Sequence, residues 1–75
     1  MSKLPVLKAR EIVTILLKAG FVIHHQKGSH VRLRRKGNPT RNVTVPIHSG
    51  DVPAETLRRI LDQANIGADE FRLMI

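Results

Sequence analysis

The sequence predicts an α+β fold: a helix, three antiparallel strands and a second helix, with both helices packed on one face of the sheet. Three observations carry that reading. Apolar residues recur at helical spacing near both ends of the chain. Between them lie three short runs rich in β-branched residues, parted by turn residues. Finally, 75 residues without a single Cys must be held by one aliphatic core rather than by disulfides or thiolate metal sites, so residues 1–75 are expected to form one domain.

The first helix is expected over residues 8–19, with Ala9, Ile12, Val13, Leu16 and Leu17 as its apolar stripe and Gly20 ending it. Lys8 is a poor N-cap, but Glu11 stands where a capping-box acid belongs. Phe21-Val22-Ile23-His24-His25 reads as a strand by composition. Residues 30–35 follow as a second strand, Val31 and Leu33 on one face and His30, Arg32 and Arg34 on the other. Lys36-Gly37-Asn38-Pro39-Thr40 has loop composition, and residues 41–47 form the third strand, with Val43, Val45 and Ile47 inward. Pro53 suits the first turn of a helix whose buried stripe is Leu57, Ile60, Leu61 and Ala64, leaving Arg58, Arg59 and Asp62 outside. Asn65 and Gly67 are stop signals, and residues 68–74 have the makings of a short final helix with Phe71 and Met74 inward.

Register follows from keeping Phe21 and Ile23 on the core face with Val31 and Leu33. A three-residue loop, Gln26-Lys27-Gly28, does so, with Gly28 as the left-handed residue of a G1 bulge and His24 opposite His30. A five-residue loop over 36–40 pairs Leu33 with Val43 and His30 with Pro46. The open face then carries His24, His30, Arg32, Arg34 and Thr44, with His48 just beyond the third strand.

Lys and Arg total 13 against 6 Asp and Glu, a net charge of +7 that favours a polyanionic partner through counterion release. Without Trp or Tyr the chain has no base-stacking platform, so phosphate and ribose contacts fit better. No apolar run approaches the ~20 residues that span a bilayer. Met1-Ser2-Lys3-Leu4-Pro5 lacks the apolar stretch of a secretory signal, so a cytoplasmic location is expected.

His30 is the catalytic candidate. It opens a strand, follows a Gly-Ser turn and has cationic neighbours. RNA is cut without metal when a base takes the 2′-hydroxyl proton and cations stabilise the charge on phosphorus in the transition state. The bland alternative is a surface histidine that binds phosphate. His24 and His48 are secondary candidates, whereas His25 reads as an ordinary strand residue. The histidine spacing matches no zinc signature, and no metal or other cofactor is expected. Lys27, Gly28 and Ser29 at the turn, with Arg32, Arg34, Arg35 and Arg41 as a basic stripe, are the candidate RNA contacts, set against plain solvated charge at strand edges. Arg58 and Arg59 read as solvated helix face. Ser29 is no nucleophile, because no acid follows to complete a triad.

Gly20-Phe21, Gln26-Lys27-Gly28-Ser29-His30, Val45-Pro46-Ile47-His48 and the run from Thr56 through Leu57-Arg58-Arg59-Ile60-Leu61 to Ile66 together resemble the HicA toxin family. The resemblance extends from about Leu7 to Phe71. It implies a fold like double-stranded-RNA-binding domains and a metal-independent endoribonuclease acting on mRNA, the toxin of a type II toxin–antitoxin pair. It places the catalytic histidine at His30 and implies a HicB-like antitoxin that covers it. Two positions depart from the pattern: Lys8 replaces a Ser or Thr cap, and Asn65 stands where Gly is frequent. The alternative function is a non-catalytic RNA-binding module of the same fold. A DNA-binding regulator fits less well, since the best-defined helix faces are the buried ones.

Overall fold

The computed structural model describes residues 4–75, and of residues 38–40 the backbone alone, so the reading of Met1 to Lys3 lies outside the described residues. Six elements follow in order: α1 (Ala9–Lys18), β1 (Phe21–Lys27), β2 (His30–Arg35), β3 (Asn38–Pro46), α2 (Ala54–Ala64) and α3 (Ala68–Leu73). The strands form one antiparallel sheet in the order β1-β2-β3. Val31, Leu33, Val43 and Val45 turn one face of it toward α1 and α2, while the residues between them face outward. This is the α-β-β-β-α architecture expected, with the short third helix added.

Both main helices are held by their apolar stripes. In α1, Ala9, Ile12, Ile15 and Leu16 are buried, and the Lys8 backbone N–H donates to Glu11 Oε1 at 2.9 Å. Only this half of a capping box forms, because an ammonium cannot accept a hydrogen bond. Leu17, expected inside, is 42% exposed, and Ile15 takes its place. Both flank the Ile12–Leu16 stripe, one on each side. Ile15 is the one covered, in the same core cluster as Leu7 and with Met74 packed against that cluster. In α2 the expected stripe of Leu57, Ile60, Leu61 and Ala64 is buried to the residue. Pro53 stands just before the helix, its carbonyl accepting from Leu57 N–H at 3.0 Å.

Asn65 ends α2 in the left-handed region at φ 58, a conformation Asn tolerates better than most residues. Gly67 plays a different part from the stop signal expected: at φ −73 it is the N-cap of α3. Phe71 of α3 is fully buried against the same core. One long-range tie had no sequence signal. Val52 N–H donates to the Leu7 carbonyl at 2.8 Å beside a Lys8–Asp51 bridge, fastening the approach to α1 onto the approach to α2.

The two hairpins differ from their expected loops in instructive ways. At the second, Leu33 pairs with Val43 and His30 with Pro46, as the sequence reading had it. The loop is shorter than residues 36–40, however, because Arg35 pairs with Asn38 and the chain bulges before Asn42 resumes the ladder. At the first, the connection is the two residues Gly28 and Ser29, and Lys27 lies opposite His30. Gly28 has φ 57, which suits the first central position of a type II′ turn. An unbroken ladder from that turn would place Phe21 and Ile23 on the open face. A β-bulge at His24 shifts the register by one residue, so that Ile23 meets Leu33 and Phe21 meets Arg35. Phe21 is thereby buried to 1% exposure.

Leu33 sits at the centre of the middle strand with no exposed surface. Leu33→Ala is expected to cost about 2–5 kcal/mol, read as a lower urea midpoint. A loss below about 1 kcal/mol would mean that the sheet does not seat its core as described.

Candidate functional site

The bulge decides which side chains meet on the open face. His25 stands opposite Arg32 and Lys27 opposite His30, and Thr44 completes the row across Arg32 on β3. These five line a shallow hollow of about 410 Å³. His30 is exposed at its edge, on the first residue of β2, where the tight Gly28-Ser29 turn ends. The turn is clamped from the other side, because the Ser29 carbonyl accepts from Ile47 N–H at 2.5 Å. His30 is therefore held by backbone pairing on both flanks while its ring faces solvent.

His24 and His25 exchange the parts expected of them. The sequence reading put His24 opposite His30 and treated His25 as ordinary; the bulge puts His25 in the hollow and leaves His24 unpaired in the ladder. His24 instead meets Arg34, Nη2 to Nε2, at 3.0 Å. A guanidinium has only donors, so this contact uses His24 Nε2 as acceptor. Arg34 Nε also lies 3.5 Å from Asn42 Oδ1, so a row of polar side chains crosses all three strands on the open face. The signal for the register was present in the sequence: Gly-Ser between two strands is a two-residue turn pattern.

The remaining candidates divide. Lys27 and Arg32 share the hollow with His30, and neither forms an ion pair among the described residues. Gly28 and Ser29 shape the turn. Arg35 lies elsewhere: its guanidinium sits 5.5 Å from the centre of the Phe21 ring, and it lines a separate hollow with Lys18, Ile66, Glu70 and Met74. Arg41 is half-buried in the bulged part of β3 and is not among the residues around His30. His48 also parts from His30. It lines a hollow with Lys8, Arg10 and Glu11 at the first turn of α1. Among the described residues, no three His, Asp or Glu side chains are grouped as a metal would require.

Sequence reasoning missed a second flank of the site. A smaller hollow of about 220 Å³ opens from His30 and Thr44 toward α2, lined by Pro46, Thr56, Arg59, Ile60 and Gln63. Gln63 reaches from α2 to the outer edge of β3, where its Oε1 accepts from Thr44 N–H at 3.0 Å. That contact satisfies an edge donor and ties α2 to the β3 edge of the sheet.

A family model described as HicA toxin of bacterial toxin-antitoxin matches residues 9–66 of the 75. The chain belongs to the HicA toxin family. No curated protein gives a significant match. The matched span of the HicA model begins with α1 and ends just after α2, so it holds both hollows and His30. Family membership gives the chain the toxin role in a toxin–antitoxin system. Among the described residues of this HicA chain, no helix is long and apolar enough to cross a membrane.

The Gly28 turn is testable apart from any activity. A Cβ at Gly28 would meet nothing within 4 Å, so its cost comes from the positive φ of 57 alone. Gly28→Ala is expected to lower unfolding free energy by about 1–2 kcal/mol, measured by chemical denaturation. A neutral or stabilising result would show that the turn adopts another geometry.

Proposed function

We propose that this HicA chain is a metal-independent endoribonuclease that cuts mRNA, with His30 as its general acid/base. The observation that carries the reading is the position of His30: an exposed imidazole on a rigid strand end, shared by two hollows that hold Lys27 and Arg32 on one side and Arg59 on the other. RNA carries its own nucleophile. A base that takes the proton from the 2′-hydroxyl lets that oxygen attack the adjacent phosphorus; the bond to the 5′-oxygen of the next nucleotide breaks, and that oxygen leaves as a hydroxyl by taking up a proton. Negative charge grows on the non-bridging oxygens as this happens, and fixed cations stabilise it. His30 supplies the base, and Lys27 and Arg32, which line the same hollow, supply positive charge. Arg34, in contact with His24 and Asn42 farther along β2, adds a cation for the RNA backbone beyond the hollow.

The toxin role implies an antitoxin. In this reading a HicB-like partner covers His30 and competes with RNA for the same cationic face. The target is cytoplasmic mRNA, and the chemistry calls for no cofactor. Contacts to phosphate come from Lys27 and Arg32 beside the turn formed by Gly28 and Ser29, and from Arg34 farther along β2. Arg35, Arg41 and His48 lie outside the hollow and have no part in the proton transfer.

His30→Ala is expected to reduce cleavage of a single-stranded RNA by about 10²–10⁴-fold, with cleavage by the unmodified protein unchanged in EDTA. Because His30 is exposed, stability should move by no more than about 0.5 kcal/mol. Undiminished cleavage by the variant would remove His30 from the mechanism, and loss of activity in EDTA would remove metal independence. Salt-sensitive RNA binding without any cleavage would instead make the protein a non-catalytic RNA-binding module.

A further inference from the structure

A phosphodiester at His30 belongs to a chain that leaves in two directions, and the surface around His30 also divides in two. On one side lies the hollow with His25, Lys27 and Arg32; on the other lies the smaller one between β3 and α2. His30 and Thr44 are common to both. The two are chemically unlike. The first is a set of cations and imidazoles on a strand surface. The second is bounded by Pro46 and by Ile60, which is 2% exposed, with a hydroxyl, a guanidinium and an amide around them.

We propose that the β3–α2 hollow is a subsite for the nucleotide on one side of the cut, with Arg59 gripping its phosphate. The inference rests on the reading of His30 as the point of cleavage and adds a residue and a place to it. Pro46, half-buried, suits the face of a ribose or base, and Ile60, almost wholly buried, backs it from the core. Thr56 and Gln63 offer hydrogen bonds to the edge of the same nucleotide. Gln63 is preset for this: with Oε1 accepting from Thr44 N–H, its NH₂ group is left as donor. Arg59 forms no ion pair among the described residues, so an incoming phosphate displaces no carboxylate. No Phe, Tyr or Trp lines this hollow, and the His30 ring is engaged at the cut in this reading, so selection of the nucleotide comes from edge hydrogen bonds and fit rather than stacking.

Arg58 provides the control. It is exposed on the same helix, one residue away, with the same charge, yet it lines neither hollow. A general attraction of RNA to a basic helix would make the two arginines equivalent; a subsite makes them different.

The experiment compares the unmodified protein with Arg59→Ala, Arg58→Ala and His30→Ala on a labelled single-stranded RNA of mixed sequence. Cut positions are mapped first, and oligonucleotides shortened stepwise on either side of one cut are then assayed. Arg59→Ala is expected to raise KM about tenfold or more, as for loss of one charge-assisted contact, while Arg58→Ala changes it less than about twofold. The Arg59 effect should vanish when the RNA is shortened on one side of the cut and persist when it is shortened on the other. Equal effects of the two variants, or an Arg59 effect indifferent to which side is shortened, would overturn the subsite.

Binding of the same RNA with a 2′-deoxy residue at the cut separates this inference from the catalytic one. Arg59→Ala should reduce the slope of log affinity against log salt by about 0.7, and Arg58→Ala should not. If the unmodified protein cuts nothing, the same salt comparison is made on the unsubstituted RNA: a difference there leaves a phosphate site at Arg59 without the catalytic reading, and no difference overturns both. If cleavage occurs and the difference is absent, the subsite fails alone.

Discussion

Two local demands in this chain conflict, and the way they are reconciled shapes the site. A two-residue turn at Gly28 and Ser29 favours a regular ladder in which Lys27 faces His30 and every second residue follows suit. That ladder would lift Phe21 onto the open face, where burying its ring is impossible. The bulge at His24 absorbs the mismatch by inserting one residue into β1. Beyond it Phe21 enters the core; before it His25 and Lys27 stand beside Arg32 and His30. The extra residue, His24, turns to Arg34 and contributes to ordering the open face.

The electrostatics follow from what is missing as much as from what is present. Lys27, Arg32 and Arg59 form no ion pair among the described residues, whereas the ion pair Arg72–Asp69 lies on α3, within a single helix. A cationic face without internal partners is costly in self-repulsion and ready to bind an anion. Such a surface suits RNA and an acidic protein alike, the two ligands of the function proposed above.

The helices do more than cover the core. Gln63 ties α2 to the edge of β3, and the same helix places Arg59 and Thr56 beside His30. The sheet thus supplies one wall of the site and a helix supplies the other. Ile60 serves both purposes, packed in the core on one side and bordering the smaller hollow on the other.

Much of the fold was legible from local patterns. The α2 stripe, the alternation of β2 and β3 and the second hairpin register depend on periodicity within one or two segments, and each appears as read. The exposure of His30 was legible too, because a residue that opens a strand after a Gly-Ser turn lies at the surface. What periodicity could not supply is the outcome of a conflict between distant demands. The His24 bulge, the exchange of His24 for His25, the burial of Ile15 instead of Leu17 and the separation of Arg35 from His30 all depend on which surface packs alongside. So does Arg59, an ordinary exposed arginine in sequence, which meets His30 only because α2 lies against β3. Local spacing therefore determined the elements and the catalytic candidate, and long-range packing decided the company that His30 keeps.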